Sequence, residues 1–291
     1  MKKRMIAVGV AATVIGFAVL PMGSALAGPI AVKGITTQTV STQMTAGAQQ
    51  TGEADATCPA GELLVGGGYT VDSTVTDWSV YLDAPDGPTW LVEIVNNDAQ
   101  PLNFTAYAVC AMSVPGKKGI TGLTTHVVQA QVDTPANQTG EADATCGANE
   151  LLTGGGYDVY NVSPNWSIYS NAPLNSNTWF VEIDNEVPLS TTFDSFAVCL
   201  GKTNGKPIKG LTTNTVVANA TAGANQVQTA AATCGPKQLM TGGGGGIESV
   251  GQDWRTVDNA PTPSGSWTVE IADLDSFSRP FDSVAICLAK P

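Results

Sequence analysis

An internal period of 88 residues constrains the fold of this chain more than any other feature. Cys58, Cys146 and Cys234 are spaced 88 and 88 apart, and Cys110, Cys199 and Cys287 are spaced 89 and 88 apart. Other landmarks keep the same phase. Gly66-Gly67-Gly68 recurs from Gly154 and Gly242, Trp78 recurs as Trp166 and Trp254, and Ala84-Pro85 recurs at Ala172 and Ala260. The run Trp90-Leu91-Val92-Glu93-Ile94 has copies starting at Trp179 and Trp267. Self-similarity of this kind marks one supersecondary unit used three times. Gly-, Pro- and Lys-rich stretches at Val114–Gly119 and Gly201–Pro207 read as joints. They divide the chain into units at 28–116, 117–204 and 205–291, each opening on Gly-Ile/Leu-Thr-Thr at Gly34, Gly122 or Gly210.

Within a unit the hydrophobic period is two. In Glu53-Ala54-Asp55-Ala56-Thr57-Cys58 the small residues and the cysteine share one face, and the acids share the other with Thr57. Trp90, Val92 and Ile94 alternate with Leu91 and Glu93 in the same way. The last strand, Phe104 to Cys110, is apolar on both faces, which places it centrally in its sheet. The reading is all-β: three tandem, small, sandwich-like units of about six strands each. Of the many pairings that six cysteines allow, the repeat selects Cys58–Cys110, Cys146–Cys199 and Cys234–Cys287. Each bridge then stays within its unit and locks first and last strands together. Glycine inside a strand marks a close backbone approach, and an aromatic ring laid over it recovers buried area. A phosphate cradle needs a following helix and a nearby lysine, whereas Gly68 is followed by Tyr69-Thr70-Val71, another strand.

The start of the chain reads as an export signal. Lys2, Lys3 and Arg4 precede an apolar run from Met5 to Leu20, and Ala25-Leu26-Ala27 supplies a cleavage pattern. Residues 1–27 are therefore expected to be removed, giving a secreted or cell-surface protein with no membrane span. The remainder holds ten Lys and Arg against 25 Asp and Glu, a balance of −15. That charge argues against nucleic acid and anionic membranes as partners. The basic residues gather in the joints, at Lys33, Lys117, Lys118, Lys202, Lys206, Lys209 and Lys290. Acidic bodies and basic joints together predict head-to-tail self-association at low salt.

Catalytic apparatus is sparse. The single histidine, His126, has Gln38 and Asn214 as counterparts, and the cysteines are committed to bridges. Carboxylates are the abundant reactive group. Glu93, Glu182 and Glu270 recur, and Glu53 with Asp55, like Glu141 with Asp143, sits two apart on one strand face. Unit three has Thr229 and Ala231 instead, which favours a solvated face over a catalytic dyad. Acidic and amide residues after the Trp–Glu strand (Asn96, Asp98, Asp184, Glu186, Asp273, Asp275) offer oxygen ligands for weak calcium binding, the one cofactor considered. Among the aromatics, Trp90, Trp179 and Trp267 read as core. Trp78, Trp166 and Trp254, with Tyr81 and Tyr169, are the candidates for exposed ligand contacts.

The pattern Cys-x4-Leu-Leu/Met-x-Gly-Gly-Gly, then Trp, Ala-Pro and Trp-x-Val-Glu-Ile, then Phe-x-x-x-Ala-Val/Ile-Cys, resembles repeats of exported bacterial proteins. The resemblance implies export and a β fold, and carries no activity. The sequence thus points to a non-enzymatic exported structural or adhesive protein, a surface, matrix or filament component whose partners are itself or a cell-surface polymer or glycan. The alternative is a multivalent carbohydrate-binding protein, and the third reading is a carboxylate-based glycosidase.

Overall fold

The computed structural model describes residues 31–72, 77–160, 166–247 and 254–291. The segment expected to act as an export signal, residues 1–27, lies outside the described residues. Every regular element among them is a strand, and no helix is long and apolar enough to cross a membrane. The first repeat forms β1 (Ile35–Ala46), β2 (Gln50–Thr57), β3 (Leu63–Asp72), β4 (Trp78–Asp86), β5 (Thr89–Asn96) and β6 (Leu102–Ser113). The second forms β7 (Leu123–Thr134), β8 (Gln138–Thr145), β9 (Leu151–Val159), β10 (Trp166–Pro173), β11 (Thr178–Asn185) and β12 (Thr191–Lys202). The third forms β13 (Thr212–Ala222), β14 (Val227–Thr233), β15 (Leu239–Gly246), β16 (Trp254–Pro261), β17 (Ser266–Asp273) and β18 (Arg279–Ala289).

Each repeat is sandwich-like, with three strands in each of two layers and one disulfide. The layers do not end at the repeat boundary. The three six-stranded antiparallel sheets run β1-β6-β3-β16-β17-β14, β13-β18-β15-β10-β11-β8 and β2-β5-β4-β9-β12-β7. Every sheet takes one layer from each of two repeats, and the exchange is cyclic: one to three, three to two, two to one. The three repeats therefore share their sheets and close into a three-walled prism. The seam in each wall is short. β4 meets β9 through Leu82↔Asp158 and Asp83↔Tyr157, and the other seams are equally brief.

The triple glycines explain how three walls meet. A Cβ on Gly66 would lie 2.9 Å from the Cα of Gly242, one on Gly242 would lie 2.9 Å from Gly154, and one on Gly154 would lie 2.8 Å from Gly66. Three backbones thus touch around a pseudo-threefold axis, far closer than the ~10 Å between ordinary packed sheets. The middle of each wall is drawn to the axis, so the walls are concave outward and the repeats stand out as three lobes. The second glycines, Gly67, Gly155 and Gly243, carry the indoles of Trp90, Trp179 and Trp267, which are fully buried in the lobe cores.

The bridges Cys58–Cys110, Cys146–Cys199 and Cys234–Cys287 have Cα separations of 5.6, 5.5 and 5.6 Å. Cys58 follows β2 and Cys110 lies on β6, so each bridge ties the second strand, rather than the first, to the last. Because β2 and β6 belong to different sheets, each bridge also joins two walls across a lobe. The joints are packed rather than loose. Lys33 Nζ donates to Lys209 O at 3.0 Å, Val114 N donates to Gly34 O, and Thr203 N donates to Gly122 O. Val32, Ile35 and Leu211 are buried beneath them, with Ile120, Leu123 and Ile208 packed alongside. All joints therefore lie at one end of the prism, and the β1–β2, β3–β4 and β5–β6 turns with their copies lie at the far end.

Candidate ligand-binding surfaces

The fold places the sequence-derived candidates in three environments: the axis, the far-end turns and the outer walls. Trp78, Trp166 and Trp254 begin the strands next to the axis and are 3, 6 and 4% exposed. They were expected at exposed positions; burial next to the axis takes them inside. They frame a cavity of about 50 Å³ together with Tyr69, Tyr157 and Arg255. Tyr81 and Tyr169 sit at β-bulges, where β4 and β10 slip register between Val80 and Leu82 and between Ile168 and Ser170. A bulge re-aims a side chain out of simple alternation. Tyr169 is buried, stacks on Trp254 at 6.1 Å and donates to Asp184 Oδ2 at 3.0 Å. Tyr81 is half-buried, and its hydroxyl pKa is raised by burial and by the neighbouring Glu93.

Below the tryptophans lies a polar node with no counterpart in the sequence reading. Asp83, Asn171 and Asn259 are equivalent residues, one from each repeat, and all are buried. Each accepts a hydrogen bond on Oδ1 from the core indole of its own repeat: Trp90 at 2.7 Å, Trp179 at 2.8 Å and Trp267 at 2.8 Å. Asn171 Nδ2 reaches Asp83 Oδ2 at 3.4 Å, which links two repeats. Burial pushes the Asp83 carboxyl up to about 8, and hydrogen bonds from Trp90, Asn171 and Asn259 only partly offset it. The 88-residue phase contains these three residues, one position before each Ala-Pro pair, so the repeat is the signal that identifies them.

The oxygen-rich turns proposed for calcium serve as braces. Asn96 Nδ2 donates to Gly47 O at 3.0 Å and Gln100 O at 2.8 Å, while its Oδ1 accepts from Asp98 N. Asn185 does the same with Pro135 O and Leu189 O. The third repeat has Asp273 here, and an acid cannot donate. Arg279 supplies the donors instead, with Nε 3.3 Å from Asp273 Oδ1 and Nη2 2.6 Å from Asp275 Oδ2. Asp184 accepts from Tyr169, and Glu186 lies half-buried in the following turn. Four of the six calcium candidates, Asn96, Asp98, Asp273 and Asp275, thus hold turn geometry, which is the usual work of Asx side chains.

One His/Cys/Asp/Glu grouping brings three donor types together among the described residues: His126, Glu150 and Cys199. Nitrogen and sulfur donors suit a transition metal better than calcium. The Cys199 sulfur is bonded to Cys146, however, which leaves His126 Nε2 3.4 Å from Glu150 as the working pair. The same position holds Gln38 with Glu62 at 2.8 Å and Asn214 with Gln238 at 3.2 Å. The His–Glu contact is one copy of a polar pair present in every repeat. The recurrent glutamates face each other across strands on the outer walls, as Glu53↔Glu93 and Glu141↔Glu182, with Thr229 opposite Glu270. Burial and neighbouring carboxylates raise the pKa of Glu53 and Glu182.

The concave walls create two related grooves. One, of about 600 Å³, lies between the first and third lobes and includes Thr37, Thr39, Ser41, Tyr107, Met240 and Ser264. The other, of about 320 Å³, lies between the third and second lobes and includes Thr213, Thr215, Asn175, Ser176, Leu152 and Ile286. In both, hydroxyls of the strand after a joint face a turn of the neighbouring repeat over an apolar floor. Neither lining includes a charged side chain.

Compared with known proteins, the chain matches no family model and no curated sequence. What the structure defines is a tandem, disulfide-stabilised all-β repeat.

Proposed function

We propose that this chain is a non-catalytic exported structural or adhesive protein, a component of a surface, matrix or filament. The observation that carries the reading is the cyclic exchange of sheets, which makes three repeats into one cross-braced body with its tryptophans, polar node and turn acids engaged in holding it together. Fractionation of the producing cells tests it. The protein is expected in the medium, wall or filament fraction, with its N-terminus near Gly28; an intact Met1 form confined to the cytosol would overturn the proposal.

A second reading is multivalent carbohydrate binding, and the two charge-free grooves favour it. In a chain this acidic, grooves lined by hydroxyls, amides and a tyrosine suit a neutral polyhydroxylated ligand, and repeated weak sites gain avidity on a repetitive polymer. A glycan array read with wild type and with Thr37→Val/Tyr107→Ala separates the readings: binding lost in the variant supports the grooves, and silence from both proteins leaves the structural role.

A further inference from the structure

The fold sorts charge in a way that the repeat hides. Along the chain most of the lysines are scattered between two joints and the flanks of the first and last repeats, yet these segments all meet at one end of the prism. Lys33, Lys117, Lys118, Lys206, Lys209 and Lys290 are exposed there. The described acids at that end are Glu62, Asp86 and Glu150, and Glu62 and Glu150 already face Gln38 and His126. The far end has the opposite character. Asp72, Asp77 and Asp133 are exposed, and Asp98 is half-buried. Its two arginines add little free positive charge. Arg279 is buried against Asp273 and Asp275, and Arg255 donates to Trp254 O from a half-buried position.

Shape follows charge. The far-end turns carry apolar tips at Phe277 and Leu189, 72 and 69% exposed, with Leu274 and Tyr160 also exposed. Phe277 and Leu189 are equivalent residues, whose counterpart in the first repeat is Gln100. Singly exposed apolar residues need no explanation, but several at one end of one body mark a contact surface. The joint end holds a cleft of about 380 Å³, whose wall includes Ala31, Val114, Gly119, Lys33, Lys117 and Lys118. It combines small and apolar residues with three lysines in its lining, and its volume is large enough for a side chain of phenylalanine size.

We infer that the two ends of the prism are complementary docking surfaces, through which copies of this chain stack head to tail. A polyanion would match the lysines and leave the apolar tips unused; a second copy supplies both the acids and the tips. The contact is heterologous, so each added copy leaves one basic end and one acidic end free, and the assembly stays open unless a rotation closes it. Lysines act as hydrated point charges on flexible stems, so the contact is salt-sensitive. This assembly rests on the structural role proposed above. Fractionation tests that role, and association in solution tests this inference.

Sedimentation velocity of the exported chain is the test. At about 20 mM salt, association should grow with concentration, and at about 500 mM it should be weaker by about tenfold or more. Lys117→Glu/Lys118→Glu and Phe277→Ser should each abolish long assemblies while leaving the circular dichroism spectrum and melting temperature unchanged. Each variant keeps one working end, so a mixture of the two should give heterodimers and nothing longer. A wild-type chain that stays monomeric at low salt overturns the inference, as does a mixture that forms no heterodimer. A monomer that binds polyphosphate through the same lysines would reassign the basic end to an anionic polymer.

Discussion

Asp83 is the residue at which the threefold pattern of the axial polar node breaks, and its consequence is a dependence on pH. Its two equivalents are asparagines, which hold the same axial position without charge. The folded-state pKa of Asp83 lies near 8, above the ordinary carboxylate value of 3.8. Between those two values the folded protein keeps a proton that the unfolded chain has released. Stability therefore falls as pH rises through this window and reaches its floor above about pH 8. Asp83→Asn, copying Asn171 and Asn259, should remove the part of this slope that Asp83 contributes, leaving the smaller part from half-buried Asp258, whose carboxyl is raised to about 7, and should stabilise the protein at pH 9 by a few kcal/mol, on the order expected for a multi-unit shift of a buried group. Urea denaturation at pH 5 and pH 9 measures it: the variant's gain should be present at pH 9 and nearly absent at pH 5. An equal effect at both pH values would show that Asp83 contributes through packing and not through its proton. The position was visible in the sequence as a repeated Asp/Asn. Its axial role was not, because it depends on contact between residues 88 apart.

At the scale of the element, the turn after the Trp–Glu strand shows one architectural need met in two ways. In the first two repeats an asparagine amide donates to the facing turn; in the third, Asp273 and Arg279 form a buried ion pair. Removing one partner of such a pair leaves an uncompensated charge and typically costs 3–5 kcal/mol, on the order of a large core mutation. Arg279→Ala should lower stability by about that amount. Asp273→Asn/Arg279→Leu, which transplants Asn96 and Leu102 of the first repeat, should recover most of the loss. Calorimetry of the wild type and both variants decides the matter: a double variant no better than the single one would mean that the two braces are not interchangeable. Strand patterning here was legible because period-two alternation is local. Trp90, Val92 and Ile94 are all buried, as the alternation requires. The bulges at Tyr81 and Tyr169 were not legible, since one extra residue changes which face a side chain takes without changing composition. The calcium expectation arose in the same way, because an Asx side chain that braces a turn carries the same oxygens as one that binds a cation.

At the scale of the whole molecule, repetition allowed the strands and bridges to be assigned, but it was silent on which repeat's strands pair with which. Two-residue seams such as Leu82↔Asp158 leave no periodic trace, and a sandwich complete in itself would produce the same 88-residue spacing. The difference has a direct test. In the closed prism an isolated repeat would expose the inner strand of each half-sheet and the bare backbone of its triple glycine. Its disulfide, worth about 4 kcal/mol for a loop of this length, does not cover those surfaces. A chain cut to residues 117–204 therefore should not fold as a monomer. Its escape from exposure is to rebuild the ring, with β9 of one copy pairing with β10 of the next, so any folded material should be trimeric. Analytical ultracentrifugation with urea unfolding reads both properties, and folding should depend on protein concentration. A monomeric repeat that unfolds cooperatively, at a midpoint independent of concentration, would show that the sheets exchanged between lobes are a convenience of packing. The same measurement on the intact chain should give a single transition, because the three lobes share their sheets and cannot come apart one at a time.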